Sequence, residues 1–405
     1  ESMGLHLLGI AENGFRHPTN SKHPIASLAD MKGLKIRVAG SSVLNNAYQA
    51  WGANWANANW SEVFTALQTG TYDGQENPLP TADGASIAEV QKYVTYWTGV
   101  YDCIFFTMNA THALNLAIRS LVSAGDEVVI SGFEHNAVWR PLNQIGVDVR
   151  IAGRRLFDRD DTIEGFRAAI TENTKAVVCT HVSNVFGYVL PVEEIAALCR
   201  EREVPLILDC SQSAGILPVS LRKLPAAFLC MPGHKSLYGP QGTGVLVCGH
   251  ALRPLLAGGT GSLSKSASMP EFTPDAGEAG THNVPGICAL CEGVRFVKNV
   301  GLDAICAHGK MLGQLLTAEL SSLPDVRVYH GRNQAGVVSF LLETEDAEQT
   351  AARLSSQGFS LRAGLHCAPL AHESAGPLSS GTVRASFSVF NTAREVRELV
   401  RVLSC

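Results

Sequence analysis

The chain has 405 residues and a formal net charge of -5, with 46% hydrophobic and 17% charged residues. This length supports two or three domains, each able to bury a core without metals or disulfides. No apolar run approaches the roughly 20 residues that span a bilayer, and the scattered lysines and arginines lack a basic footprint, so we expect neither a membrane nor a nucleic acid as partner.

The cysteines and the first residues indicate the compartment. Residues 1–10 show no positively charged region followed by an apolar stretch, so we expect no secretory signal there. Eleven cysteines are an odd number. The single Cys-x-x-Cys pair, Cys288 with Cys291, has no second pair to complete four zinc ligands. We therefore expect buried thiols in a reducing, cytoplasmic compartment, and neither a disulfide framework nor a bound metal.

Two parts of the chain differ in composition. All eleven cysteines lie at or after Cys103, whereas four of the five tryptophans lie before it. This step predicts two sequence origins that join near residues 101–109, with residues 1–103 as the first domain. In that domain the strand LKIRV (34–38) and the helix SEVFTALQTG (61–70) indicate a small α/β unit.

Several segments of the first domain form a specific pattern. They are ENGFRH (12–17), ADMKGLKIRV (29–38), SEVFTALQTGTYDGQENPL (61–79) and EVQKYVTYW (89–97). With them the domain resembles the solute-binding proteins of TRAP transporters, as a partial copy of one lobe. The resemblance implies that Arg37 pairs with a substrate carboxylate, helped by Asn77. A carboxylate-binding receptor module is therefore one functional alternative.

From residue 104 onward, strand-like runs alternate with amphipathic helices. The strands are EVVIS (127–131), DVRIA (148–152), KAVVCT (175–180), PLILD (205–209) and AAFLC (226–230), and the helices include HALNLAIRSLVSAG (112–125) and EEIAALCRERE (193–203). This alternation predicts a mostly parallel sheet covered on both faces. In such sheets, ligands bind at the carboxyl ends of the strands.

The pattern changes after residue 290, which we take as a boundary between a large domain (104–290) and a small domain (291–405). A helical stretch from about residue 287 to 300 and a helix over 302–322 come first. An α+β unit is then predicted, with strands VVSFL (337–341), FSLRA (359–363) and TVRAS (382–386) and a closing helix from Thr392.

A glycine-rich segment, MPGHKSLYGPQGTG (231–244), follows the strand AAFLC and carries one lysine near its start. A partly desolvated lysine at the end of a strand suits Schiff-base chemistry, which makes Lys235 a candidate. The spacing of a P-loop is absent. The strand in LILDCSQSAG (206–215) ends with Asp209, whose carboxylate could keep a pyridinium nitrogen protonated. Together these two residues suit pyridoxal phosphate (PLP), with a surface lysine and a helix-cap or structural aspartate as the alternatives at the two positions.

Nine motifs after residue 104 follow one another in the order of a known family. They are FTMNATHALN (106–115), EHNAVWRPL (134–142), THVSNVFGYVLPVEEI (180–195), DCSQSAG (209–215), PGHKSLYGPQGTG (232–244), GGTGS (258–262), EAGTHNVPGI (278–287), RAGLHCAPLAH (362–372) and VRASFSVFNT (383–392). They resemble the class V aminotransferase family, and RAGLHCAP is similar to the cysteine motif of cysteine desulfurases and selenocysteine lyases. The implied fold is α/β and PLP-dependent aminotransferase-like, with a large mostly parallel sheet and a small α+β domain.

The resemblance implies roles around the ring of a PLP cofactor. Lys235 would hold the cofactor covalently, Asp209 would bind the pyridine nitrogen, and His135 would stack on the ring. Gln212 and Asn184 would tune the phenolic oxygen.

The resemblance also implies a phosphate cradle. The amide of Ala110 and the side chain of Thr111 open a helix whose N-terminus can receive the phosphate. His234 would help, together with Thr281 from a partner subunit. We therefore expect a homodimer.

Substrate binding and sulfur transfer involve the small domain. Arg384 and Arg362 would clamp the substrate carboxylate. The thiolate of Cys367 would attack the sulfur of L-cysteine, with Lys235 as base, and yield alanine and a persulfide for a sulfur-acceptor protein. A thiolate is favoured beside positive groups, here His366 and Arg362.

The chain also departs from the family pattern. Pro232 stands where related enzymes often have Ser, and His282 stands where they have Pro, which changes the phosphate contacts. The usual Asp-Asn-Ala-Ala-type start has no counterpart. We expect L-cysteine desulfuration, with selenocysteine lysis or another class V lyase or transaminase activity as the alternative of the same fold.

Overall fold

The computed structural model describes residues 16–95, apart from 26 and 41, and residues 103–404, apart from 222, 223, 271 and 273. The chain divides into two units, Glu1–Tyr101 and Asp102–Cys405. In these described parts, no helix is both long and apolar enough to cross a membrane.

The first unit contains a five-stranded sheet in the order β3-β2-β4-β1-β5. Its strands are β1 (Arg16–Asn20), β2 (Lys35–Val38), β3 (Asn54–Asn57), β4 (Gly74–Pro78) and β5 (Tyr93–Val94), and its α-helices are α1 (Ser42–Ala50), α2 (Trp60–Gln68) and α3 (Leu79–Gly84). The strand predicted over 34–38 and the helix predicted over 61–70 are confirmed as β2 and α2. Helix α2 buries Val63 and Leu67.

The second unit is organised around a seven-stranded sheet in the order β6-β12-β11-β10-β9-β7-β8. Its strands are β6 (Cys103–Thr107), β7 (Glu127–Ser131), β8 (Asp148–Ala152), β9 (Thr174–Thr180), β10 (Leu206–Asp209), β11 (Phe228–Pro232) and β12 (Gly244–Cys248). Strands β8, β7, β9, β10 and β11 are parallel, and β12 runs antiparallel to both of its neighbours. The predicted mostly parallel sheet is confirmed.

Neighbouring side chains on the central strands point to two apolar cores, one on each face of the sheet. The helices that connect the strands are α4 (Ala110–Leu121), α5 (Asn136–Ile145), α6 (Arg159–Ala169) and α7 (Val192–Glu201). Val129 shares one core with Ile195 of α7, and its neighbour Val128 shares the other with Leu114 of α4. Burial on both faces explains why these strands are apolar throughout.

The remaining elements include a three-stranded antiparallel sheet in the order β13-β14-β15. They are α8 (Val284–Val300), α9 (Leu302–Leu320), β13 (Val326–Tyr329), β14 (Val337–Leu342), α10 (Ala347–Ser356), α11 (Pro369–Ala375), β15 (Val383–Ser386) and α12 (Ala393–Leu403). Leu316 of α9, Phe340 of β14 and Leu399 of α12 share the core of this part. The boundary expected at residue 290 falls inside α8, so a division of the second unit there stays a prediction.

The strand predicted over 359–363 is wrong. Only an isolated bridge joins Arg362 to Arg384, and β13 is the third strand of the small sheet instead. The alternation of apolar residues over 359–363 reflects side-chain packing, because Phe359 and Leu361 pack against the apolar core of this part of the chain. Beyond the bridge, Gly364 has a φ of 95°. In this left-handed conformation Gly364 exchanges two backbone hydrogen bonds with Thr382, the residue before β15.

The turn after β10 depends on Gly215, which has a φ of 85°, and an added Cβ would overlap the carbonyl oxygen of Ser236, the residue after Lys235. We expect Gly215→Ala to lower the free energy of unfolding by about 2–5 kcal/mol, since backbone strain and steric overlap add. Gly125→Ala is the matched control, because Gly125 has a φ of 84° and open space around it. The Gly125→Ala variant should lose only the free energy of unfolding that comes from the unfavourable backbone conformation. Urea unfolding would measure both, and equal losses would contradict the overlap.

Candidate active site

One cavity of about 250 Å³ lies at the carboxyl ends of the parallel strands. Segments that follow β6, β7, β9, β10 and β11 reach it together with residues of the last part of the chain. It is lined by Asn109, Ala110, Thr111, His135, Ala137, Thr180, Val182, Asn184, Asp209, Ser211, Gln212, Pro232, His234, Lys235, Arg362, His366 and Arg384. Of the predicted site residues of this unit, only Cys367 and Thr281 are absent from the lining.

The start of α4 forms one wall of the cavity. The side chain of Asn109 caps the helix by accepting a hydrogen bond from the backbone N–H of His112 at 3.0 Å. Ala110 and Thr111 then place the first turn of the helix at the cavity. Helix N-termini carry unpaired N–H groups and a partial positive charge, so this wall suits an anion such as a phosphate.

His135 is held in one orientation between β7 and α5. It is the N-cap of α5, and its Nδ1 accepts a hydrogen bond from the backbone N–H of Ala137 at 3.0 Å. Burial is the main cause that lowers the pKa of His135, while the charge of Asp209 opposes it. The neutral ring, with its proton on Nε2, therefore fits this position.

Lys235 and Asp209 approach the cavity from neighbouring strands. Asp209 ends β10 with only 2% of its surface exposed, and its Oδ1 accepts the backbone N–H of Ser211 at 2.8 Å. The pKa of Lys235 is lowered chiefly by burial and further by Arg384 and Arg362, whereas Asp209 raises it. A lysine with a lowered pKa can act as a nucleophile or base near neutral pH.

Two arginines bring positive charge to the same cavity. Nη1 of Arg384 donates to the backbone carbonyl of Asn184 at 2.8 Å. Its buried Nε has no hydrogen-bond partner among the described residues. Burial, and then the charge of Arg362, lowers the pKa of Arg384. An anion at this place would satisfy the guanidinium and offset its desolvation.

Cys367 is exposed and directly follows His366, which lines the cavity. Its sulfur lies 3.9 Å from Nη2 of Arg362. The expectation that His366 supplies a second positive charge is wrong, because burial lowers the pKa of His366 to about 3 and keeps the ring neutral. Arg362 is thus the positive group that contacts the sulfur.

Thr281 is exposed and lies outside the cavity lining. A contribution from a partner subunit, which the family resemblance implies, therefore stays a prediction. Among the described residues, no group of three or more His, Cys, Asp or Glu side chains could hold a metal ion.

Glu134 is a buried carboxyl group that the sequence reasoning missed. Its Oε1 accepts hydrogen bonds from the Ser131 hydroxyl and from the backbone N–H of Thr180, the latter at 2.7 Å. Burial is the main cause that raises the pKa of Glu134 to about 8, and Asp209 also raises it. The available signal was its place directly before His135, three residues after the apolar strand β7.

In the first unit, the two predicted receptor residues make internal contacts. Nε and Nη2 of Arg37 donate to the carbonyl oxygen of Ala58 at 2.9 and 2.6 Å, and the guanidinium lies over the ring of Trp60. Nδ2 of Asn77 donates to Oε1 of Gln75 at 2.8 Å. Both side chains therefore make contacts within the first unit. The role of Arg37 and Asn77 in carboxylate binding stays a prediction.

Two family models match this chain, and their matches overlap over residues 81–113. Residues 81–399 match the family model "Aminotransferase class-V", and residues 1–113 match "Bacterial extracellular solute-binding protein, family 7". The chain is 33% identical over 317 residues to the "Probable cysteine desulfurase" of Methanothermobacter thermautotrophicus, which covers 75% of this chain and 78% of the relative. It is 33% identical over 316 residues to the "Cysteine desulfurase" of Shigella flexneri, with 73% and 76% covered.

A solved structure is similar as well. The apo structure of cysteine desulfurase from Thermococcus onnurineus NA1 superposes with a TM-score of 0.65 at 30% identity, covering 75% of this chain and 78% of that one. The predicted aminotransferase-like fold and the resemblance of the first part to solute-binding proteins are both confirmed.

The buried carboxyl of Glu134 predicts a pH-dependent stability. Between pH 4.5 and 8 the folded state keeps a proton that the unfolded state has lost, so the stability that this group contributes falls as the pH rises, by at most about 1.4 kcal/mol per pH unit. Glu134→Gln removes this dependence. We therefore expect the unfolding free energy of the unchanged protein, relative to the variant, to decrease over this range.

The matched control is Glu127→Gln. The pKa of Glu127 is lowered, first by the hydrogen bond from Thr174, so its contribution is present above pH 4.5 and is lost as the pH falls. The variant should be most destabilised near neutral pH. Urea unfolding at several pH values would test both. A Glu134→Gln difference that stays constant with pH would contradict the protonated carboxyl.

Proposed function

The chain belongs to the aminotransferase class-V family, whose model covers residues 81–399, and from this premise we infer that it is a PLP-dependent cysteine desulfurase. Relatives that carry this description at 33% identity support the enzyme class. The observation that carries the proposal is a single cavity that contains Lys235, Asp209 and Arg384. The exposed thiol of Cys367 follows directly on a residue of its wall.

The residues present fit PLP. The N-terminus of α4, with Thr111 and the nearby His234, suits the phosphate. Asp209, nearly fully buried, supplies the carboxylate for the pyridine nitrogen. Lys235 supplies the amine. When bound, PLP provides an electron sink for the negative charge that develops on the α-carbon of an amino acid.

Each residue of the site then has its own role in the reaction. Arg384 binds the substrate carboxylate through the face that carries its unpaired Nε, and Arg362 adds positive charge. Lys235, with its lowered pKa, takes the proton from the α-carbon. The thiolate of Cys367 forms an S–S bond with the substrate sulfur as the C–S bond breaks. The electron pair of the C–S bond stays with the β-carbon, which takes up one proton, and the α-carbon regains the proton that it lost. The product leaves as alanine, and the persulfide stays on Cys367.

We further propose L-cysteine as the substrate and a second protein as the sulfur acceptor. The exposure of Cys367 supports transfer to another molecule, since a persulfide there would be open to solvent. The nine cysteines from Cys179 to Cys367 are free thiols, which supports a reducing, cytoplasmic compartment. Selenocysteine would fit the same residues, and competition between the two substrates would separate these activities.

The function is tested by cofactor attachment and product formation. The full chain with PLP should be yellow, and borohydride reduction followed by peptide mass analysis should place the label on Lys235. Lys235→Ala should lose this label. Cys367→Ala should keep the label but lose at least about 10²-fold of its alanine production from L-cysteine, because the nucleophile is gone.

Cys288→Ala is the matched control, since Cys288 is also exposed but lies on α8. It should keep both the label and the activity. If Cys367→Ala produced alanine at the unchanged rate, the desulfurase proposal would fail, and a general class V lyase or transaminase would replace it.

We also propose a homodimer, because Thr281 is exposed away from the cavity of its own chain. Light scattering of the PLP-loaded protein should give twice the mass of one chain. Thr281→Ala should weaken PLP binding while the mass stays that of a dimer. A monomeric PLP-loaded protein would contradict this assignment.

A further inference from the structure

The loop that carries Cys367 has an unusual backbone. His366 and Cys367 are consecutive non-glycine residues in the left-handed region, with φ values of 50° and 57°. Such residues persist only where the surrounding structure determines them. The contacts that hold this loop therefore decide where the thiol lies.

Several backbone contacts hold the loop. Gly364 and Thr382 exchange two hydrogen bonds of 3.1 Å, which fix the start of the loop to the strand segment beside it. At its other end, the carbonyl oxygen of Cys367 accepts the backbone N–H of Asn136 at 2.7 Å. Asn136 is the first residue of α5, directly after His135.

Asn184 supplies a side-chain contact from the cavity wall. Its Nδ2 donates to the carbonyl oxygen of His366 at 2.8 Å. Its own backbone carbonyl accepts Nη1 of Arg384 at 2.8 Å. Only 8% of its surface is exposed. One residue thus contacts both the proposed carboxylate clamp and the peptide group directly before the nucleophile.

We propose that Asn184 is a positioning residue, whose side-chain amide holds the His366 carbonyl and thereby sets the conformation of the Cys367 loop against the start of α5. This role is additional to the tuning of a cofactor oxygen that the family resemblance implies for Asn184. The expected effect of Asn184 on turnover rests on the desulfurase function proposed above. The hydrogen bonds that position the loop do not involve the cofactor.

The experiment measures amide hydrogen exchange in the full chain, with Asn136 as the reporter. Asn136 bonds Cys367 and is not bonded to Asn184, so its protection follows the position of the loop. In Asn184→Ala we expect exchange at Asn136 and across 362–368 to rise about fivefold, the effect of one lost hydrogen bond. Asn184→Asp keeps the volume but lacks the donor, and should behave alike.

The matched control is Gln212→Glu, which makes the same amide-to-acid change in the same cavity from the segment after β10. It should leave exchange at Asn136 unchanged. Amides of α7 and α9 report any global loosening and should stay protected in every variant. Protection of Asn136 that persists in both Asn184 variants, or an equal loss in Gln212→Glu, would overturn the proposal.

Turnover separates this proposal from the proposed function. In Asn184→Ala, kcat for alanine formation should fall about fivefold with KM for L-cysteine unchanged, because Arg384 is held by the backbone carbonyl that the variant keeps. A KM that rises with an unchanged kcat would contradict the positioning role. The unchanged protein could make no alanine while the Asn184 variants still show the expected rise in amide exchange. This result would count against the desulfurase function alone.

Discussion

Parallel pairing of β9, β10 and β11 is the constraint on which the site depends. Parallel strands end at the same edge of a sheet, so the segments that follow them meet there although they are far apart in the chain. Asp209 and Lys235 come together in this way, and β7 and β6 add His135 and the start of α4. Apolar cores on both faces of the sheet keep this edge in place.

Desolvation then gives the residues at this edge their chemistry. Burial lowers the pKa of Lys235 and of Arg384 and raises that of Glu134. A lysine that releases its proton more readily suits a base or a nucleophile. An arginine whose buried Nε has no partner among the described residues suits an anion. The negative charge of Asp209 opposes the effect of burial at Lys235 and raises the pKa of the lysine.

The last part of the chain completes the site from the opposite direction. Arg384 lies on β15, and Arg362 is joined to it by an isolated bridge. The left-handed turn that follows brings His366 into the cavity wall and leaves Cys367 exposed. The thiol proposed as the nucleophile is therefore open to solvent next to the cavity wall. The left-handed conformation of His366 and Cys367 is held in place because the backbone carbonyl oxygens of both residues accept hydrogen bonds.

The sequence by itself determined the mostly parallel sheet, the family and the residues that gather at the cavity, because apolar periodicity and ordered motifs are local properties of the chain. Tertiary structure alone decided three other matters. Residues 359–363 alternate like a strand, yet they form only an isolated bridge, because Phe359 and Leu361 are apolar for packing against the core of distant segments. His366 is neutral, and Glu134 holds its proton, because both are buried. Burial and hydrogen-bond partners come from distant segments, so no local pattern encodes them.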